Sequence, residues 1–197
     1  MSVLPPYRFD GRNEAAIRAA ERQAAEMVTA ISDETRAALR ALVVRGIREQ
    51  IPVYDLARLI RALIGLNGPQ AEAAMAYRET LINEGVLSFD SINRLVDKYA
   101  AKLLRQRAIT IARTEIMGAL NRGVEASWKD AQRKGLIGKH AKKEWMALDD
   151  GKCTQGTCPP LDGVTVPLDA AFSTNRGPMQ RPPAHPRCRC AVAVLPE

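Results

Sequence analysis

Aromatic side chains and histidine are scarce in this chain. Its 197 residues include 2 Trp, 4 Tyr, 3 Phe and 2 His. With His140 and His185 as its histidines, a hydrolytic metal site would have to recruit carboxylates at spacings the sequence does not offer. No G-x-S-x-G, H-E-x-x-H or G-x4-G-K-[ST] motif occurs, so the common hydrolase and phosphate-loop chemistries have no anchor, and the chain is expected not to be an enzyme. No apolar run approaches the ~18 residues that a membrane-spanning helix needs. The segment Met1-Ser2-Val3-Leu4-Pro5-Pro6 lacks a basic stretch followed by an apolar one, so no secretory signal is expected and the reducing cytosol is the default compartment. The 4 cysteines are too few for a disulfide scaffold, and they cluster in the last quarter of the chain. Neither a long internal repeat nor a low-complexity tract is present.

What the sequence does have is the balance of a folded protein: 46% hydrophobic and 26% charged residues, with length for one ordinary domain or a domain plus a small appendage. Proline divides it into two regimes, because 8 of the 12 prolines lie at or after Pro159. Before that point the pattern is helical. A first helix is expected over about Asn13 to Ala30, with Asn13 as N-cap and Glu14 near the positive end of the dipole. Ser32 caps a second, in which Ala38, Leu39, Leu42, Val43 and Ile47 recur at helical spacing. Pro52 opens a third that runs from Val53 to about Leu66 and ends at Asn67-Gly68, and Pro69 opens a fourth that Gly85 closes. From Ser88 or Asp90 one long helical pattern runs to about Arg133, with Gly135 as its stop. Gly118 and Gly123 each weaken that pattern by up to ~1 kcal/mol relative to Ala, which makes them the candidate kink points. Short strands are expected at Glu144–Leu148, Val164–Val166 and Ala191–Leu195. The fold class is therefore α+β and mostly α: a helical region over 1–86, a long central helix over 87–136, and a small cysteine-stapled β module over 137–197.

Positive charge is concentrated unevenly. The formal net charge is +7. Between Arg122 and Lys143, seven cations (Arg122, Lys129, Arg133, Lys134, Lys139, Lys142 and Lys143) stand against Glu125 and Asp130, a local excess of 7 − 2 = +5. Read functionally this is a phosphate-contacting segment; read blandly it is a solvated helix face followed by a basic loop.

The cysteines pair by position: Cys153-x4-Cys158, then, 29 residues on, Cys188-x-Cys190, with His185 three residues before Cys188. Two close pairs separated by a loop can supply four ligands to a tetrahedral Zn²⁺. The intervening loop carries seven prolines and few large apolar residues, so a metal would supply the order that a core cannot. Disulfides and reduced thiols are the alternatives. His185 either replaces one cysteine, giving four ligands from these five residues, or hydrogen-bonds locally. Lys152, Arg187 and Arg189 are placed to offset the charge of four thiolates. In an extended Arg187–Cys190 segment the cysteines would face one way and the arginines the other. Four protein ligands close the coordination sphere, which favours a structural role.

Thr114, Gly118, Asn121 and Glu125 follow i, i+4, i+7, i+11 spacing and share one helix face. Gly118 in that stripe permits close approach of another backbone. The expectation is that the C-terminal module docks there, with Asn121 bonding its loop backbone and Trp145 anchoring its core. Asp149-Asp150-Gly151 reads as a loop corner, and His140 as an exposed loop residue.

The run Ile111-Ala112-Arg113-Thr114-Glu115, then Asn121, Trp145 and Asp149-Asp150, then Cys158-Pro-Pro-Leu-Asp-Gly163, then Pro182-Pro-Ala-His185-Pro-Arg-Cys188-Arg-Cys190, resembles the phage head morphogenesis family of Mu F-like and SPP1 gp7-like minor head proteins. The resemblance covers roughly Ile51 to Leu195. In the family the two upstream cysteines usually stand two residues apart; here Cys158 fits the second position and Cys153 sits two residues too early. The resemblance implies a minor capsid protein of a tailed bacteriophage, made in the host cytoplasm and residing in the virion, at the portal vertex or capsid interior. The implied partners are the portal or major capsid protein and weakly, non-specifically bound packaged DNA. A zinc-stapled DNA-binding regulator is the alternative class, and a nuclease or toxin-like enzyme the third.

Overall fold

A computed structural model describes residues 17–19, 33–61, 63–148, 153 and 156–195. Of the expected first helix, Ile17–Ala19 are described; they are helical, with Ile17 and Ala19 buried. The rest of that helix, its caps, Ser32, the corner Asp149-Asp150-Gly151 and Lys152 lie outside the described residues.

Helix α1 spans Asp33–Arg48 and α2 spans Val53–Arg61. The latter ends earlier than its apolar pattern suggested, and Ile64 still reaches the core from the connection that follows. Helix α3, Gly68–Glu84, starts on a reciprocal cap: the Asn67 side chain accepts from Gln70 N, and the Gln70 side chain accepts from Asn67 N. Gly85, at φ 66°, closes it in the left-handed conformation that a β-carbon would disfavour. Helix α4 then runs unbroken over Phe89–Arg133, 45 residues, with Ser88 as N-cap. At 1.5 Å per residue it is about 67 Å long.

The helix is not broken at the candidate points Gly118 and Gly123. Packing along the helix outweighs the local propensity cost, and at Gly118 there is a positive reason for the missing side chain: a β-carbon would sit 3.3 Å from Pro183 Cδ.

Strands β1 (Lys142–Met146), β2 (Thr165–Pro167) and β5 (Ala191–Leu195) form an antiparallel sheet in the order β2-β1-β5. β1 begins two residues earlier than expected, β2 is shifted by one, and β5 falls where its apolar run placed it. The hairpin β3 (Phe172–Thr174) and β4 (Gly177–Met179) was not anticipated. Three-residue strands carry too little periodicity to be visible in sequence.

Two apolar cores result, and α4 belongs to both. Leu39, Val43, Leu56, Ile60 and Ile64 pack on Ala108, Ile111, Ala112 and Ala119 in its middle. Trp128 and Ala131 near its end join Trp145, Leu161, Leu168, Phe172, Val192 and three cysteines. The molecule is thus mostly helical, with a long central helix and a small C-terminal sheet region that holds the cysteines. Among the described residues no helix is long and apolar enough to cross a membrane.

Candidate metal centre

The segments that deliver the sulfur and imidazole ligands are held by backbone bonds around Trp145. Trp145 N donates to Val164 O at 3.0 Å, and Gly163 N donates to Trp145 O at 2.9 Å. Asp162 Oδ1 accepts from Ala147 N at 2.8 Å, capping the end of β1. Leu-Asp-Gly163 therefore works as a strand clamp, with Gly163 at φ 72° making the turn. Trp145 itself is fully buried and meets the Phe172 ring edge-on, with centroids 5.2 Å apart.

Against this wall the ligand atoms converge. Cys153, Cys158 and Cys190 have their sulfurs within 4.8 Å of one another, and so do the donor atoms of Cys158, His185 and Cys188. Cys158 Sγ lies 3.8 Å from Cys188 Sγ, and Cys153 Sγ lies 3.8 Å from His185 Nε2. The displaced Cys153 therefore reaches the cluster across its longer loop, which Asn175 Nδ2 braces by donating to Gly156 O at 2.8 Å. No disulfide joins the four cysteines. Cys158, Cys188, Cys190 and His185 are buried. His185 Nδ1 lies 2.8 Å from Pro186 O. With its proton on Nδ1, the imidazole leaves Nε2 as a lone-pair donor facing the sulfurs, the orientation seen in metal-ligating histidines.

The electrostatics suit a cation. Cys190, receiving a hydrogen bond from Cys188, is pulled down to about 5 despite its burial. Cys188 is raised by that same bond and by burial, and Cys158 is raised chiefly by burial. A metal bound here would have to displace the protons of Cys158 and Cys188, because the thiolate is the ligand. Two overlapping groups, Cys153, Cys158 and Cys190 and Cys158, His185 and Cys188, could thus hold a metal ion.

The docking residues meet this module directly. Asn121 Oδ1 accepts from Val192 N at 3.2 Å, and its Nδ2 donates to Cys190 O at 3.1 Å. Thr114 Oγ1 accepts from Arg187 N at 2.9 Å, and Arg187 Nε donates to Thr110 Oγ1 at 2.7 Å. Those bonds hold Arg187 at φ 62°, so the Arg187–Cys190 segment is not extended as expected. Its cysteines still turn inward, and Arg187 points at α4 rather than at the thiolates.

The seven-cation segment is reorganised by folding. Lys143 is fully buried, donating to Glu125 Oε1 at 3.2 Å, Gln180 O at 2.9 Å and Gln180 Oε1 at 3.1 Å. It cannot reach a phosphate, so its assignment as a DNA contact is corrected: β1 alternates, and a lysine two residues from an inward tryptophan points inward too. Glu125 also pairs with Arg181 and, at 3.5 Å, with Lys129, which reaches Asp169 at 3.2 Å. Asp130 pairs with Arg133 at 3.1 Å and Lys134 at 2.7 Å. Arg122 is half-buried, whereas Lys139 and Lys142 are exposed. Glu125, Gln180 and Arg181 are the site residues that sequence reasoning missed as a group, since they come together only through the fold.

No family model matches this chain, and neither a curated protein nor a solved structure matches it.

Proposed function

We propose that the chain is a zinc-stapled minor head protein of a tailed bacteriophage, acting in assembly at the portal vertex or in the capsid interior and not as an enzyme. The observation that carries this reading is convergence. Residues scattered from Thr114 to Cys190, quoted for their resemblance to head morphogenesis proteins, meet around one cluster and the helix face beneath it. Zinc is favoured by the donor set and its scale. Tetrahedral Zn²⁺ with Zn–S of about 2.3 Å needs an S···S edge of about 3.8 Å, the separation of Cys158 and Cys188. Such an ion would staple the C-terminal loops to α4, leaving a rigid body suited to docking.

The test is association. The protein, co-expressed with the portal and major capsid proteins of a tailed phage, is expected to co-purify with one of them, to enter particles, and to carry about one zinc. A zinc-loaded chain that ignores both proteins and selects one duplex sequence would overturn this reading in favour of a regulator.

A further inference from the structure

Besides Lys139 and Lys142, folding leaves a second set of cations without carboxylate partners among the described residues. On the N-terminal half of α4, Arg94, Lys98, Lys102 and Arg105 stand at i, i+4, i+8 and i+11, forming one exposed stripe about 16 Å long. Asp97 sits about a quarter-turn off that stripe. Among the described residues no carboxylate pairs with Lys98, Lys102 or Arg105, in contrast to Lys129, Arg133, Lys134 and Lys143.

The stripe borders a concavity. A cavity of about 550 Å³ takes its wall from Lys98, Lys102 and Arg105 on α4, Tyr77 on α3 and Arg61 on α2. A second, of about 360 Å³, shares Arg61 and Arg105 and continues to Tyr54. Among the described residues no acidic side chain lines either one. At the far end Arg113 stacks over Tyr54, 5.4 Å from its centroid, and donates to its hydroxyl at 2.7 Å. A linear array of cations along a groove in which no described carboxylate lies is complementary to a polyanion of regular charge spacing.

We propose that this groove between α2, α3 and α4 binds the phosphate backbone of duplex DNA without regard to sequence. The tyrosines favour a duplex over a single strand. Tyr77 and Tyr99 are tilted against each other with centroids 4.9 Å apart, so they occupy one another's faces instead of offering them to unpaired bases. A lipid surface would call for a convex face, whereas these cations flank a hollow whose wall also includes Leu95. The inference deepens the head-protein reading, whose resemblance implies non-specific DNA contact, by assigning that contact to this groove and not to Arg122–Lys143; it is argued from the groove's charge.

The experiment measures binding of the full-length protein to two unrelated labelled duplexes across a salt series. Both should bind equally, in the ~10⁻⁴–10⁻⁶ M range, with affinity falling steeply as salt rises. The triple variant Lys98→Gln/Lys102→Gln/Arg105→Gln should flatten the log–log salt slope by up to about 3 units and weaken low-salt binding at least ~10-fold, with an unchanged helical spectrum and melting temperature. The control triple Arg133→Gln/Lys134→Gln/Lys139→Gln should change the slope by less than about 1 unit, since two of its cations already serve Asp130. No duplex binding, an unchanged slope in the first triple, or a larger loss in the control would overturn the proposal. So would binding to anionic vesicles in place of duplex. None of these results bears on co-purification with a portal, so the two readings fail separately.

Discussion

Glu125 and Lys143 form a buried ion pair whose two halves should respond very differently to removal. Glu125 is 2% exposed and faces three cations, Lys143, Arg181 and Lys129. Lys143 is fully buried and faces this one carboxylate, with Gln180 supplying its other acceptors. Glu125→Ala therefore strands an ammonium inside the protein, and removing one partner of a buried pair in that way costs about 3–5 kcal/mol. Lys143→Met leaves the carboxylate with Arg181 and Lys129 and fills the space with an apolar stem, so its cost should stay below about 2 kcal/mol. At ~2–4 °C per kcal/mol for a chain of this size, the expected loss in melting temperature is ~6–20 °C for the first variant and a few degrees for the second. Urea unfolding monitored by tryptophan fluorescence gives the same comparison, because Trp128 and Trp145 both belong to this core. The pH dependence follows from the same geometry. Burial works to raise the Glu125 carboxyl, but Arg181, Lys143 and Lys129 outweigh it, and the group is held below its ordinary range. A depressed carboxyl contributes stability that is present above its unfolded value and lost as pH falls through its folded one. The acid limb of the stability profile should accordingly flatten in Glu125→Gln. Equal losses from Glu125→Ala and Lys143→Met, or an acid limb unaffected by Glu125→Gln, would refute the reasoning.

Three further outcomes are expected. Elemental analysis should find about one zinc per chain, and a strong chelator should expose residues after Trp145 to protease while far-ultraviolet dichroism retains most of its helical signal; a metal-free protein of unaltered protease resistance would contradict the staple. Gly118→Leu should cost ~1–3 kcal/mol through overpacking, because even a β-carbon there lies 3.3 Å from Pro183 Cδ; wild-type urea unfolding would show that Pro183 yields freely. Asn121→Ala removes the partners of Cys190 O and Val192 N and should cost ~1–3 kcal/mol, with faster amide exchange at Val192 than in wild type.

Helices α3 and α4 were legible because each is punctuated by residues with a single mechanical meaning. Asn67-Gly68-Pro69 and Gly85-x2-Ser88 bracket α3 and open α4 within a residue of where caps and breakers placed them. α2 was overrun because Ile64 still reaches the core after the helix has ended; periodicity reports burial and not backbone geometry. The cysteine cluster was visible in spacing, and Thr114 and Asn121 in helical phase. The charge network was not, although one signal was available: once Trp145 faces inward, strand alternation turns Lys143 inward as well. What no local pattern carried was the identity of its partners. Glu125 lies 18 residues before Lys143 and Arg181 lies 56 after Glu125. Counting charges along the chain overstated the basic character of Arg122–Lys143 for that reason, and understated it on α4, where the cations are four residues apart and look dilute in sequence.

The continuity of α4 has a mechanical corollary. A rod about 67 Å long, gripped in its middle by one core and near its end by another, leaves its first three turns, from Phe89 to about Tyr99, carried chiefly by α3. Rotating the gripped part by only about 5° would carry the free tip through roughly 3 Å, taking a lever arm near 35 Å at 1.5 Å per residue. Small rearrangements at the thiolate end would therefore be read out as displacement at the exposed Val86 and Phe89, 84% and 68% accessible.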